Sequence, residues 1–195
     1  MAVPPELTIS NLAGLFIPDK TLSDDADGFL SLQGVPWLLR KAIGLANPKL
    51  TISQATNEQG VAVVDLSVVG IGGRTVTEQR VLDWEPVPST NPLYGKTIIR
   101  SRLYKTPLPK EPGQSDENYA YLNAHVARDG SPSSWIEDED RQHLHCVITN
   151  EEAGWTIDQV WGFEEINGQR YHTRRSVLVK EDAVERGRIV YNYVA

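Results

Sequence analysis

The sequence predicts a mainly β protein, a ten-stranded antiparallel β-barrel with a short helix-turn-helix lid near its N-terminus. Three observations carry this reading. Residues 28–54, GFLSLQGVPWLLRKAIGLANPKLTISQ, read as two short helices broken at Gly34-Val35-Pro36 and followed by a first regular strand. Nearly everything after them is rich in β-branched residues. The strands follow one another in simple succession, and such a meander is most easily satisfied by closure, which removes exposed edges.

Taken in order, residues 12–17 are a short apolar strand that Pro18 ends. Ser23 or Asp24 can cap a helix running toward Gln33, where Asp24, Asp25 and Asp27 suit the positive end of its dipole. Pro36 fits the first turn of a second helix, and Gly44 can close it. Strands are expected at residues 49–56, 61–69 and 74–82, separated by turns at 57–60 and 70–73. Further strands are expected at 96–105, 119–128, 142–150, 154–163, 169–180 and 188–194. The connections 83–91, 106–118 and 129–141 are long, the first two rich in proline and the third acidic through Glu137-Asp138-Glu139-Asp140. Long unstructured connections within a small domain point to function.

The 195 residues fit one domain spanning the whole chain, residues 1–195. A net charge of −7 argues against a nucleic-acid binder, whose affinity rests on clustered Lys and Arg. No apolar run reaches membrane-spanning length, and Met1-Ala2-Val3-Pro4-Pro5-Glu6 is unlike a secretory signal. The single Cys146 leaves no internal disulfide and suits a reducing compartment. A cytoplasmic location is the expectation, and the wide apolar strands leave room for a homodimer.

The stretch 28–54 resembles the cytosolic fatty-acid-binding proteins of the calycin superfamily. There a lid helix of the type LxxLGVxxxxRK runs into a strand of the type KPxLxIxQ. The matching letters here are Leu30, Leu32, Gly34, Val35, Arg40 and Lys41, then Pro48, Leu50, Ile52 and Gln54. The expected order of one strand, two helices and nine strands is also that of the family. The resemblance implies a barrel that binds a small hydrophobic molecule. Fatty-acid carriers of this kind end in Arg-x-Tyr, whereas the corresponding places here hold Tyr191 and Tyr193. A neutral tyrosine cannot make the bidentate contact of a guanidinium with a carboxylate. A second family arginine, on the penultimate strand, survives as Arg174 or Arg175.

Strand alternation sorts the remaining candidates. Tyr171, Thr173, Arg175 and Val177 share one face of residues 169–180, opposite Arg170, His172, Arg174 and Ser176. With the first face inward, Arg175 and Tyr171 become hydrogen-bond donors in the cavity; otherwise that face is solvated. Tyr119, Tyr121, Asn123 and His125 alternate along an expected strand and line either a cavity or the surface. Trp155, Ile157, Gln159 and Trp161 share a face suited to an aromatic wall or to core filling. His143 and His145 have no third ligand at a convincing spacing, so no metal is expected. Gly70-Ile71-Gly72-Gly73 precedes a strand and is a hairpin turn, not a phosphate loop.

Calycin-like barrels also occur in natural-product pathways, where they direct cyclisations, isomerisations or cycloadditions. The sequence expectation is therefore a cofactor-free enzyme that folds a neutral polyketide or terpenoid intermediate for a cyclisation, isomerisation or (hetero-)Diels–Alder step. The alternative is an intracellular carrier of fatty acids or other small hydrophobic ligands. The residues assigned to catalysis are Arg175, Tyr171 and Tyr191. Those assigned to ligand binding are Trp161, Tyr193, Tyr121, Asn123 and His125.

Overall fold

A computed structural model describes residues 2–139 and 141–194 of the chain. Its elements run β1 Gly14–Pro18, α1 Asp27–Leu32, α2 Trp37–Leu45, β2 Lys49–Thr56, β3 Ala62–Val69, β4 Thr75–Val81 and β5 Val87–Asn91. They continue as β6 Gly95–Lys105, α3 Asp116–Leu122, β7 Gln142–Asn150, β8 Trp155–Ile166, β9 Gln169–Lys180 and β10 Ala183–Tyr193. The ten strands form one antiparallel sheet in the order β4-β3-β2-β1-β10-β9-β8-β7-β6-β5. No ladder joins its two edges, β4 and β5, among the described residues, and the connection between them is held to β6, where Trp84 N–H donates to the Ser101 carbonyl at 2.9 Å. The result is the expected barrel, closed except along part of that seam.

Two expected elements are corrected. Residues 119–128 are not a strand: α3 occupies Asp116–Leu122, and a loop follows. The Ser115 hydroxyl accepts from Asn118 N–H at 3.1 Å, and Asp116 and Glu117 sit at the positive end of the dipole. The tyrosine alternation concealed a helical face, on which Asn118, Tyr121 and Leu122 are buried together. The missing tenth strand is β5, inside the proline-rich connection 83–91. Pro88 is tolerated there because β5 pairs with β6 alone.

The cap expected at Ser23 or Asp24 is also absent, since α1 starts at Asp27 without a side-chain cap. Those side chains instead accept from the backbone of β10, Ser23 Oγ from Val190 N–H at 2.9 Å and Asp24 from Arg188 N–H at 2.7 Å. An unpaired strand backbone in reach outcompetes a helix end that water can satisfy.

Both ends of the barrel are covered. At one end, residues 2–13 fold under the strands. Arg170 donates to the carbonyls of Pro4 and Leu7 at 2.9 and 2.8 Å, and the Gln54 amide binds the Ile9 carbonyl and Leu12 N–H. Val3, Leu7, Ile9 and Leu12 thereby join Phe16, Leu50, Ile52 and Leu66 in the main core. At the other end, Phe29 and Leu32 of α1 rest on Ile99, Ile148, Trp155, Ile157 and Leu178. Helix α2 buries no residue, and Trp37, Leu38 and Leu45 stand exposed.

A second layer lies outside the barrel. Leu108, Tyr121, Leu122, Ala124 and Trp135, from residues 106–136, pack against Val160 and Val177 on the outer faces of β8 and β9. Those strands are therefore buried on both faces, and their sequences lack a clean polar side. Of the acidic run, Glu137 accepts from the Thr106 hydroxyl at 2.7 Å and Asp138 from Arg170 at 2.8 Å, while Asp140 lies outside the described residues. Among the described residues, no helix is long and apolar enough to cross a membrane.

Candidate functional site in the barrel interior

The hairpin between β8 and β9 fixes what faces inward. Asn167 and Gly168 both have positive φ, 54° and 74°, the geometry of a two-residue turn that matches strand twist. Counting from this turn, Trp161 pairs with Arg174, Gln159 with Ser176, and Phe163 with His172. The next hairpin sets Tyr191 opposite His172. Directly paired residues share a face, so these seven side chains point into the barrel together.

Arg174 is the centre of this group. Its guanidinium carbon lies 3.6 Å from the Trp161 ring centroid and 5.0 Å from that of Tyr191. Its Nε donates to His172 Nε2 at 3.4 Å. The His172 Nδ1 position lies 3.1 Å from the Gly162 carbonyl, which assigns the proton to Nδ1 and leaves Nε2 as the acceptor. Burial, reinforced by the charge of Arg174, holds the His172 pKa well below the usual imidazole value, so the ring is neutral. Tyr191 stacks on it at 5.2 Å and 21°. Phe16 closes the aromatic wall, edge-on to His172 at 5.6 Å and to Tyr193 at 5.4 Å.

The charge balance of the interior is unusual. Arg174 is only 7% exposed, yet among the described residues no carboxylate pairs with it and its Nη2 has no hydrogen-bond partner. A second buried cation, Arg80 of β4, pairs with Glu78 at 2.9 Å but leaves Nε and Nη1 without partners. Burial, with Arg80 adding to it, pushes the Arg174 pKa down. Between the arginines, Cys146 meets the Ser101 hydroxyl at 3.4 Å, and burial pushes its thiol up into the neutral form. A buried guanidinium with free N–H groups is costly unless something else in the site accepts from it. An acceptor oxygen brought to Arg174 Nη2 would satisfy that donor, with the rings of Trp161 and Tyr191 beside it.

The candidates named from sequence divide between the two sides of the wall. Trp161, Tyr191 and Tyr193 face inward. Arg175 and Tyr171 face outward, the opposite of the inward arrangement expected, and Arg175 and Tyr121 line a cleft of about 690 Å³ in the outer layer. Arg175 is fully buried beneath the outer layer, and all five of its N–H groups are used. It donates to both Glu164 oxygens at 3.0 and 2.6 Å, to the Ser133 hydroxyl at 2.6 Å, and to the carbonyls of Tyr121 and Val126 at 3.0 and 2.5 Å. Nothing remains with which to polarise a substrate.

Tyr171 donates to Gln169 at 2.7 Å. Tyr121 is buried on α3, 5.0 Å from the Arg175 guanidinium. Asn123 ends α3, accepting from Leu108 N–H at 2.6 Å and donating to the Tyr119 carbonyl at 3.0 Å. His125 is exposed beside Tyr119. These four belong to the outer layer, as do His143 and His145, which bind separate carboxylates, Glu137 at 3.4 Å and Asp158 at 2.7 Å.

Arg174 was named from sequence only as one of two places for the family's second arginine, and His172 and Arg80 were given no role. For the first two a signal existed: the Asn167-Gly168 turn fixes the register, and an inward Trp161 then requires an inward Arg174.

No family model matches the chain. The probable pericyclase scpY of Mollisia scopiformis is 29% identical over 195 residues, covering 99% of this chain and 95% of that protein. The pericyclase pydY of Acremonium sp is 29% identical over 198 residues, covering 100% and 97%. Among solved structures, a mutant of the fluorescent protein UnaG aligns with a TM-score of 0.53 at 12% identity, over 95% of this chain and 98% of that one. Wild-type UnaG gives 0.51 at 13% identity, over 94% and 97%. The chain is a calycin-like barrel that resembles, along its whole length, proteins named as pericyclases.

Proposed function

We propose that the protein is a pericyclase of natural-product metabolism, acting without a cofactor on a polyene that carries a conjugated carbonyl or enolate oxygen. The observation that carries this reading is Arg174, a buried cation without a carboxylate partner, held between Trp161 and Tyr191 with a free N–H. In a Diels–Alder or hetero-Diels–Alder step two new σ bonds form as π bonds are consumed, and no proton or electron leaves the substrate. The protein therefore has to shape the reactant and stabilise charge that grows on one oxygen.

The aromatic wall supplies the shape, excluding extended conformers and favouring near-attack geometry. Arg174 supplies the charge stabilisation. A hydrogen bond from its guanidinium to the carbonyl oxygen withdraws electron density from the reacting alkene, in a water-poor setting where such a bond is worth most. Neutral His172 positions that guanidinium by accepting from Nε. The full-length likeness to proteins named as pericyclases supports the reaction class.

The test is Arg174→Met, which keeps an unbranched apolar stem and removes the guanidinium donors. Linear polyenes with and without an α,β-unsaturated carbonyl are incubated with both proteins, and cyclised product is measured. The reading requires wild-type acceleration confined to the carbonyl-bearing set and lost in the variant. Undiminished cyclisation by folded Arg174→Met overturns it. Saturable binding with no acceleration by the wild type identifies a carrier instead.

A further inference from the structure

We infer that the outer layer holds a second small-molecule site, built for a neutral molecule that presents an amide group to Tyr121, Arg188 and Asp24. The site lies across the barrel wall from Arg174 and does not depend on what the barrel interior binds.

Its place is the cleft of about 690 Å³ bordered by the loop after α3, the turn between β8 and β9, and Arg188 of β10. The floor is the buried Glu164–Arg175 pair, which faces away from the barrel interior. Both groups are spent. Arg175 uses all five of its N–H groups, and Glu164 also accepts from Thr173, Ser133 and Arg188.

Three groups around this floor are not spent. Tyr121 is only 1% exposed, yet its hydroxyl has no hydrogen-bond partner among the described residues. The charges that act on its phenol are those of Asp24, Arg175, Glu164 and Arg188, and all four groups line the cleft, so the hydroxyl is aimed into it. Burial pushes the phenol pKa up, and the group keeps its proton and is a donor. Arg188 pairs with Arg175 in the β9–β10 ladder and so shares the outer face. It gives only Nη1 to Glu164, at 3.1 Å, with Nε and Nη2 left over. Asp24 accepts from Arg188 N–H through Oδ2 at 2.7 Å, which leaves Oδ1.

These groups select a ligand by charge and by hydrogen bonding. Arg175 and Arg188 are balanced by Glu164 and Asp24, so the floor carries no net charge. At the mouth Arg128 is drawn off to Glu185 at 3.4 Å, while Asp129 and Glu165 are exposed carboxylates that repel an anion. The two inner donors, Tyr121 and Arg188, repel a cation. What fits is a neutral molecule with a strong acceptor next to a donor. A carbonyl oxygen has two lone pairs, one for Tyr121 and one for Arg188, and an adjoining N–H serves Asp24 Oδ1. Ala127, Pro132 and Ile136 cover the carbon skeleton attached to it. An acceptor supplied to the Tyr121 hydroxyl removes the penalty of a buried donor left unpaired.

The test titrates the isotope-labelled full chain with acetanilide, a neutral amide on an apolar ring, and follows backbone amide shifts by NMR. Saturable shifts should fall on residues 127–136 and 165–167, and should persist in Arg174→Met, which alters the barrel interior alone. Tyr121→Phe removes one oxygen that has no partner, so the fold stands and affinity should drop about fivefold. N-methylacetanilide, which lacks the N–H, should bind more weakly than acetanilide, and the anion phenylacetate should not bind. No saturable shift, or equal affinity in Tyr121→Phe, overturns the site. Phenylacetate or 1-phenyl-1,2-ethanediol binding as tightly as acetanilide overturns the amide assignment. Shifts abolished by Arg174→Met place the ligand inside the barrel and overturn the outer site.

Discussion

Replacing Arg175 by methionine removes five hydrogen bonds at once and leaves Glu164, 2% exposed, as a buried carboxylate without its closest cation. The second cation, Arg188 at 3.1 Å, is partly solvated and reaches only one of the two oxygens. Breaking a buried pair by removing one partner costs about 3–5 kcal/mol. The carbonyls of Tyr121 and Val126 and the Ser133 hydroxyl lose their donor as well, which places the expected loss at the upper end of that range. For a chain of this size the shift in Tm is roughly 6–20 °C. Urea denaturation followed by tryptophan fluorescence and circular dichroism reads the loss. Cyclisation per folded molecule, measured below the transition, should be retained, because Arg175 lies outside the barrel wall. A loss of stability below about 1 kcal/mol combined with loss of turnover would refute this reasoning. Arg175 would then be a substrate contact, and the facing of β9 argued here would be wrong.

Other expectations follow from the same geometry. Burial alone would raise the Glu164 pKa, but the bonds and charge of Arg175, then Arg188 and Thr173, hold it below the usual carboxylate range. The stability it contributes is therefore complete above the unfolded value near 4.5 and is lost as pH falls through the lower folded value, a loss absent from the Arg175→Met/Glu164→Gln double variant. His172 and His143 are depressed mainly by burial, so both bind protons less readily in the fold than in the unfolded chain, and Tm should decline as pH drops below about 6.5; His172→Phe should flatten part of that decline. Arg174→Met should lower kcat/KM about 10²–10³-fold, as for removal of one oxyanion donor, while stability measured by urea holds or rises. Gly162→Ala should cost about 1–3 kcal/mol in the same denaturation experiment, since its Cβ would lie 2.6 Å from the Trp135 ring and 2.7 Å from His143 Nδ1.

Much of the fold was legible because it is written in local chemistry. The β-branched runs, the break at Gly34-Val35-Pro36 and the short polar turns each act over a few residues. Together they gave a meander of ten strands with a helical lid. The exchange of one strand, 119–128 for β5, came where local signals conflict. The Ser115 cap and acidic first turn argued for a helix that the tyrosine alternation concealed, and the prolines of 83–91 hid an edge strand.

The site was half legible. Trp161, Tyr191 and Tyr193 were named from sequence without a fixed facing, and the structure turns all three inward; the Asn167-Gly168 turn already made an inward Trp161 incompatible with an inward Arg175. What no local pattern could supply is the outer layer of residues 106–136. By covering β8 and β9 it buries both faces of those strands, so hydrophobic alternation no longer tells inside from outside. Two adjacent arginines then look equivalent in sequence. The turn puts them on opposite faces, but long-range closure decides which face is inside: one is saturated by Glu164 and the backbone of the outer layer, and the other faces the barrel interior with a donor to spare.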